Sequence, residues 1–185
     1  MSKRLFTSDW HLGHNAILKY RPSFSSIEEH DQNIIDQLSV LSKRDLVFVL
    51  GDILFDGDKY DYYIDILNKM SCRFKFVLGN HDSRKLYSET RLTNMELCLP
   101  LFSYKNLWIS HAPLHPSEIR GRDLNIHGHC HNHNVKRDSG LFDDERYFNV
   151  ILDQNYNKFV SFEEIESRVK ENRKGEEHEC SVQGN

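Results

Sequence analysis

The sequence has no run of about 20 apolar residues, the length that a membrane-spanning helix requires, and no apolar segment typical of a signal peptide. We therefore expect a cytoplasmic protein without a membrane partner. It also has no Cys-x-x-Cys pair, because its four cysteines stand far apart, at Cys72, Cys98, Cys130 and Cys180. This spacing argues against a cysteine-based zinc site and predicts free thiols of a reducing compartment.

Positive charge is not in excess: 24 lysines and arginines face 28 aspartates and glutamates, which leaves a net charge of −4. The sequence therefore lacks the electrostatic footprint of a protein that binds duplex nucleic acid tightly and without sequence preference. Its 185 residues, 38% of them hydrophobic, are enough for one domain with a core. We predict that domain over residues 1–172 and a disordered polar tail over residues 173–185.

The hydrophobic pattern of the first half predicts an α/β fold. The predicted strands lie at residues 5–8, 46–50 and 73–78. The predicted helices are a short one at 15–20, one from the N-cap Ser26 to about Leu41, and one over 59–70. This alternation predicts a parallel sheet with helical crossovers.

The second half is richer in short strands. Strands at 97–102 and 107–110 are predicted to pair as a hairpin, followed by strands at 123–127 and 146–150. Together they predict a second, partly antiparallel sheet. A last helix is predicted from the N-cap Ser161, with Glu164 three residues later, to about Glu171.

Residues that bear chemistry follow the predicted strands at five places. These are Asp9-Trp10-His11, Gly51-Asp52, Gly79-Asn80-His81-Asp82, Ser110-His111 and Gly128-His129-Cys130-His131. Carboxylates, imidazoles and amides contribute nothing to a core, but open α/β folds bind their ligands at the carboxyl ends of strands. The 11 histidines of the chain are an unusually large number for its size and favour metal binding or proton transfer.

The spacing of these residues predicts a metal site. Asp9 and His11 are two residues apart on a segment predicted to be extended, which places both side chains on one face, and His129 and His131 repeat this spacing. Asp52, Asn80 and His111 bring the set to seven donors. A tetrahedral zinc ion uses four donors, so seven suit two ions that share a carboxylate. Oxygen and nitrogen donors without thiolate suit manganese, our first choice, or iron, nickel, cobalt or zinc.

The five motifs, in this order, resemble those of the calcineurin-like metallophosphoesterase superfamily over about residues 5–165. That superfamily includes protein phosphatases, small phosphodiesterases and DNA-repair nucleases. The segments 7–15, 149–150 and 161–165 are most similar to a small single-domain subgroup from bacteria and their viruses. The resemblance implies a two-sheet α/β/β/α sandwich.

The resemblance also implies a role for each donor. Asp9, His11 and His131 would hold one metal, Asn80, His111 and His129 the other, and Asp52 would bridge the two. A hydroxide between the metals would attack phosphorus, and His81 would act as general acid on the leaving oxygen. Asp82 would orient either His81 or its loop. His127 and His133 share the predicted face of His129 and His131, so a supporting role for one of them stays open.

Other positions bear on the substrate. Protein phosphatases of this superfamily carry an aspartate three residues after the bridging one, but Phe55 stands there in this chain and Asp56 follows it. This difference argues against a protein phosphatase. We predict that His14, Arg21 and Arg84 contact the phosphoryl group, with solvated surface charge as the alternative for each arginine.

We therefore predict a metal-dependent hydrolase of phosphate esters. A phosphodiesterase acting on a small, nucleotide-like substrate is favoured, because His81 can protonate a poor alkoxide leaving group. The alternatives are a phosphomonoesterase, a nuclease that acts on single-stranded ends, and a metal-bearing scaffold without catalysis. The sequence does not specify the oligomeric state.

Overall fold

The computed structural model describes residues 2–54 and 57–183. These residues form nine strands: β1 (Arg4–Thr7), β2 (Leu46–Leu50), β3 (Arg73–Val77), β4 (Met95–Leu99), β5 (Leu101–Tyr104), β6 (Leu107–Ser110), β7 (Leu124–His127), β8 (Tyr147–Asn149) and β9 (Val160–Ser161). Its α-helices are α1 (Ile27–Ser39), α2 (Tyr60–Lys69) and α3 (Phe162–Gln183). Short 3₁₀ turns lie at Asn15–Lys19, Arg84–Ser88, Pro116–Glu118 and Leu152–Gln154.

The strands form two sheets. The first has the order β4-β3-β2-β1-β9, with β9 antiparallel to β1 and the other pairs parallel. The second has the order β5-β6-β7-β8, with β5 antiparallel to β6 and the other pairs parallel. The predicted fold class, a two-sheet α/β/β/α sandwich, is confirmed, except that the antiparallel β9 makes the first sheet mixed rather than purely parallel.

Alternate residues of β2 serve two separate hydrophobic clusters. Val47 and Val49 pack with residues of α1 and α2 on one face of the sheet. Phe48 and Leu50 pack on the other face, in a cluster that includes Ile109 and Ile126 of the second sheet and Phe162 and Ile165 of α3. Because β2 is covered on both faces, all five of its residues are buried, and its sequence is apolar throughout. Within the described ranges, no helix is long and apolar enough to cross a membrane.

The predicted strand at 97–102 is wrong, because the chain changes sheets within it. β4 ends at Leu99 and extends the first sheet beside β3, and β5 begins at Leu101 and pairs with β6 in the second sheet. Pro100 separates them. Proline has no N–H to donate, so it cannot continue a strand ladder, and the chain can turn there from one sheet to the other.

Both predicted N-caps are confirmed. The Ser26 hydroxyl accepts a hydrogen bond from the Glu29 amide (3.2 Å) at the start of α1. Ser161 and Glu164 form the full reciprocal pair at the start of α3: the Ser161 amide donates to the Glu164 carboxylate (2.6 Å), and the Glu164 amide donates to the Ser161 hydroxyl (3.3 Å).

The predicted end of the last helix is wrong, since α3 continues past Glu171 to Gln183. Residues 172–183 contain no proline and several lysines, arginines and glutamates, which have good helix propensity. The predicted boundary between a domain over residues 1–172 and a tail over residues 173–185 stays a prediction, and residues 184–185 lie outside the described part.

Candidate metal centre

The seven predicted donors lie at one edge of the two sheets. Asp9 and His11 follow β1, Asp52 follows β2, Asn80 follows β3, His111 follows β6, and His129 and His131 follow β7. The strands they follow run parallel within each sheet, so their carboxyl ends meet at a common edge. The distances between the side chains show two adjacent clusters there.

The first cluster consists of Asp9, His11 and His131, whose donor atoms all lie within 4.8 Å of one another. Asp9 Oδ1 is 3.7 Å from His131 Nε2 and 3.8 Å from His11 Nε2. That oxygen is buried and accepts no hydrogen bond within the described residues. A buried carboxylate oxygen without a proton donor is costly, and a cation bound at this point would satisfy it.

The second cluster consists of Asp52, His111 and His129, again within 4.8 Å of one another. His111 Nδ1 donates to the Leu50 carbonyl (2.8 Å), so in the neutral ring Nε2 carries a lone pair. Asn80 Oδ1 lies 3.0 Å and Asp52 Oδ2 3.5 Å from this Nε2. Three acceptor atoms thus converge, and His129 Nδ1 lies 3.2 Å from the same Nε2. Such a group of oxygen and imidazole donors suits a divalent cation.

Asp52 lies between the two clusters. Its Oδ2 is 3.6 Å from His11 Nε2 and 3.5 Å from His111 Nε2. Its Oδ1 accepts a hydrogen bond from the backbone amide of His81 (2.9 Å). This placement fits a carboxylate that two cations share, as the resemblance implies.

The backbone at these positions differs from the extended geometry expected from sequence. Asp9, His11, Asp52 and His129 have φ angles of 56°, 49°, 52° and 67°, in the left-handed region. The alternation argument for the pair Asp9 and His11 and for the pair His129 and His131 is therefore wrong, although the side chains do converge. Such conformations cost roughly 1–3 kcal/mol each and concentrate at functional sites. Here the Asp9 amide donates to the Gly51 carbonyl (2.9 Å) and the His11 amide to the Asp52 carbonyl (2.8 Å).

Burial fixes the charge state of His11. Desolvation, with further contributions from Arg21 and neighbouring histidines, lowers the pKa of His11 to about 2. The ring is therefore neutral at neutral pH, the form in which imidazole binds a cation.

Asp82 fixes the loop after β3. Its carboxylate accepts hydrogen bonds from the backbone amides of Asp52 (2.8 Å), Ile53 (2.6 Å), Leu54 (2.9 Å) and Gly79 (2.8 Å). Of the two predicted roles for Asp82, these bonds support the one that orients the loop. Burial raises the pKa of Asp82 to about 6, against the lowering effect of the amide bonds.

Arg21 lies beneath the site, and its predicted contact with substrate conflicts with this placement. Only 1% of the residue is exposed. Its guanidinium donates to the Asp9 carbonyl (2.5 Å) and the Trp10 carbonyl (3.4 Å) and forms an ion pair with Asp153. These contacts use three of its five N–H groups and support the backbone of the first motif.

Asp153 is the residue that sequence analysis missed. Its second carboxylate oxygen binds His131 Nδ1. This bond leaves His131 Nε2 facing Asp9, a carboxylate–histidine arrangement typical of metal sites. An aspartate shortly after a predicted strand was its only signal in the sequence.

The remaining predicted residues have varied placements. The ring centroids of His14 and His81 lie 5.9 Å and 5.8 Å from that of His11, and His81 is exposed. His127 is buried, donates from Nδ1 to the Gly128 carbonyl (2.8 Å), and packs against Tyr147. His133 and Arg84 are exposed, and Phe55 and Asp56 lie outside the described residues. The roles of His14, His81 and Arg84 toward substrate stay predictions.

Comparison with known proteins identifies relatives over most of the chain. The sequence profile of the calcineurin-like phosphoesterase family matches residues 2–177. The gene 66 protein of Mycobacterium phage L5 is 31% identical over 163 residues, which cover 71% of this chain and 78% of that protein. A crystal structure of a protein of unknown function from Aquifex aeolicus has a TM-score of 0.66 at 23% identity, covering 90% of this chain and 99% of that one. This likeness supports the fold.

Two relatives have names that state an activity, and each matches less than half of this chain. One component of the nuclease SbcCD of Escherichia coli is 31% identical over 97 residues, 47% of this chain and 23% of that protein. A probable cyclic nucleotide phosphodiesterase of Coxiella burnetii is 29% identical over 84 residues, 44% of this chain and 32% of that protein.

Proposed function

Because the chain belongs to the calcineurin-like phosphoesterase family, we propose that it is a two-metal phosphodiesterase that acts on small, nucleotide-like esters. The observation that carries this proposal is the position of Asp52, whose Oδ2 lies within 3.6 Å of a histidine from each cluster. A carboxylate shared by two adjacent donor clusters is the arrangement that two-metal phosphoryl transfer uses.

The donors divide between two cations as the resemblance implies. Asp9, His11 and His131 would hold the first, Asn80, His111 and His129 the second, and Asp52 both. Two bound cations supply a nucleophile at neutral pH and neutralise charge on the phosphoryl oxygens. Manganese is our first choice for the metal.

His81 is the residue that favours a diester over a monoester. Its backbone amide is held by Asp52 Oδ1, and Asp82 holds the surrounding loop, so the exposed imidazole is carried by a fixed backbone next to the first cluster. A proton from this ring assists departure of an alkoxide, which leaves poorly without one. The Escherichia coli and Coxiella burnetii relatives are named for a nuclease and a cyclic nucleotide phosphodiesterase, which favours a diester substrate.

A nuclease is the second candidate, and the name of the Escherichia coli relative favours it. The net charge of −4 argues against a long nucleic-acid channel. We also propose that the protein acts in the cytoplasm, since Cys72, Cys98 and Cys130 are free thiols, as a reducing compartment would maintain them.

Hydrolysis of bis(p-nitrophenyl) phosphate beside p-nitrophenyl phosphate tests the proposal. The protein is stripped of metal, refilled with manganese and assayed as wild type and as His81→Asn. We expect metal-dependent hydrolysis of the aryl diester by both proteins, because p-nitrophenoxide leaves readily without a proton. For a diester with an alkoxide leaving group, such as a dinucleotide, we expect the rate to fall about 10²–10⁴-fold in the variant, the usual contribution of a general acid, while both metals stay bound. His115→Asn is the matched control, because it changes an exposed histidine that caps the Pro116–Glu118 turn, a role that asparagine can also fill.

Three other outcomes contradict parts of the proposal. Turnover of the monoester alone would indicate a phosphatase. Faster cleavage of a single-stranded oligonucleotide than of any small diester would indicate the nuclease. Two bound metals without turnover of any ester would indicate a scaffold.

A further inference from the structure

A cavity of about 230 Å³ opens beside the first cluster. It is lined by Ala16, Ile17 and Tyr20, from the segment after the first motif, and by His11, His81 and His131. We propose that this cavity, named here the leaving-group cavity, binds the leaving group of the ester and selects a single planar ring system, such as that of a nucleoside. The proposal rests on the proposed phosphodiesterase function and adds the part of the substrate that the chain recognises.

The position of the cavity indicates that it binds the leaving group rather than the rest of the ester. His11 and His131 are donors of the first cluster, so a phosphoryl group bound there lies at the mouth of the cavity. His81 also lines the cavity. Because the general acid must reach the leaving oxygen, the group attached to that oxygen extends along His81 and into this space.

The size of the cavity limits what it can hold. Ligand pockets for drug-sized molecules span roughly 300–1,000 Å³, so a cavity of about 230 Å³ suits one ring system rather than a chain of nucleotides. A ribose or the rest of a longer substrate would extend into solvent.

The lining favours a flat aromatic group on an anionic ester. Ala16, Ile17 and the Tyr20 ring present carbon surface. The Tyr20 ring stacks on the His131 imidazole, with centroids 4.5 Å apart and planes 23° apart, which holds it in place. Lys19 Nζ lies 4.6 Å from the Tyr20 centroid, and none of the described residues that line the cavity is acidic. Rigid aromatic rings next to a cation are typical of sites that bind bases and phosphates.

The chemical step balances with water as the co-reactant. A water oxygen forms a new bond to phosphorus as the bond from phosphorus to the leaving oxygen breaks. His81 gives a ring proton to that oxygen and regains one from solvent, and the attacking water releases its proton to solvent. One diester and one water thus become one alcohol, which departs from the leaving-group cavity, and one phosphate monoester.

Ala16→Phe tests the proposal, since a phenyl group there fills the cavity, and Ala16 belongs to neither donor cluster. Adenosine serves as the isolated leaving group. With manganese-loaded wild type we expect adenosine to inhibit bis(p-nitrophenyl) phosphate hydrolysis competitively. In the variant we expect weaker inhibition and a higher KM, each by about tenfold or more, with kcat nearly unchanged, because filling the cavity removes binding rather than chemistry.

A measurement that needs no turnover accompanies the kinetics. Saturation transfer from the protein to the ring protons of adenosine reports binding directly, and we expect it in wild type and not in Ala16→Phe. Val40→Phe adds the same ring at a position that is 77% exposed and outside the cavity, and should behave as wild type.

The two proposals can fail separately. If esters are hydrolysed but adenosine gives no saturation transfer, or if Ala16→Phe keeps the wild-type KM, the assignment of the cavity is wrong and the hydrolase stands. If no ester is hydrolysed, the proposed function is wrong. Saturation transfer to adenosine would then show that the cavity binds a ring that is not a leaving group.

Discussion

At the scale of single residues, hydrogen bonds to one ring nitrogen decide which nitrogen faces the donor clusters. The Leu50 carbonyl holds His111 Nδ1, and the Asp153 carboxylate holds His131 Nδ1. Each bond leaves Nε2 directed at a carboxylate, Asp52 in one case and Asp9 in the other. Asp153 also forms an ion pair with the buried Arg21.

Asp153→Asn should therefore weaken the first metal site selectively. The amide can still accept from His131 but loses its negative charge, and loss of such a partner typically lowers metal affinity by about 10–100-fold. Chelator competition with manganese should show one site weakened and one close to wild type. Asp143→Asn, which changes an exposed aspartate paired with Lys136, is the control. Equal weakening of both sites would contradict a role for Asp153 in orienting His131.

At the scale of elements, three of the five motifs place a glycine directly before a predicted metal donor. A Cβ on Gly79 would lie 2.1 Å from Asp52 Oδ1 and 2.4 Å from the Asp52 amide nitrogen. A Cβ on Gly128 would lie 1.7 Å from Ser8 Oγ. The strand ends thus approach so closely that only glycine fits, and this contact sets the distance between the loops.

Gly79→Ala should displace Asp52 and disturb both clusters. We expect lower manganese content and a loss of stability of about 1–3 kcal/mol, as for other overpacked sites. Urea unfolding and metal analysis measure the two effects. Gly57→Ala is the control, because nothing lies within 4 Å of the added carbon, and it should change stability by less than about 0.5 kcal/mol. A metal content of Gly79→Ala equal to that of wild type would contradict the close contact.

At the scale of the whole molecule, the ion pair of Glu89 and Arg91 lies where a surface segment meets α2. Glu89 follows the Arg84–Ser88 turn and accepts hydrogen bonds from Arg91 Nε (3.0 Å) and from the Tyr60 hydroxyl of α2 (3.3 Å). The side-chain bond from Arg91 is the main cause that lowers the pKa of Glu89 to about 2. The contact therefore joins the segment before β4 to α2 whenever Glu89 is ionised.

This lowered pKa predicts a pH-dependent contribution to stability. A carboxyl group whose pKa is lower in the folded state stabilises fully above its ordinary pKa, 4.5, and loses that effect as the pH falls towards 2. Glu89→Gln should thus be less stable than wild type at pH 7, and the difference should shrink below about pH 4.5. Urea unfolding across this range measures it, with the exposed Glu171→Gln as control. A difference that does not vary with pH would contradict the prediction.

The sequence alone determined which donors the chain carries, where they follow the strands, and where α1 and α3 begin. Those features depend on local patterns: apolar runs that end in Asp, Asn or His, and a serine three residues before a glutamate. Only the tertiary structure decided that the chain changes sheets at Pro100, that Arg21 is buried beneath Asp9, and that Asp153 orients His131. These outcomes depend on contacts between residues far apart in the chain, whose meeting is set by strand order and register rather than by any local pattern.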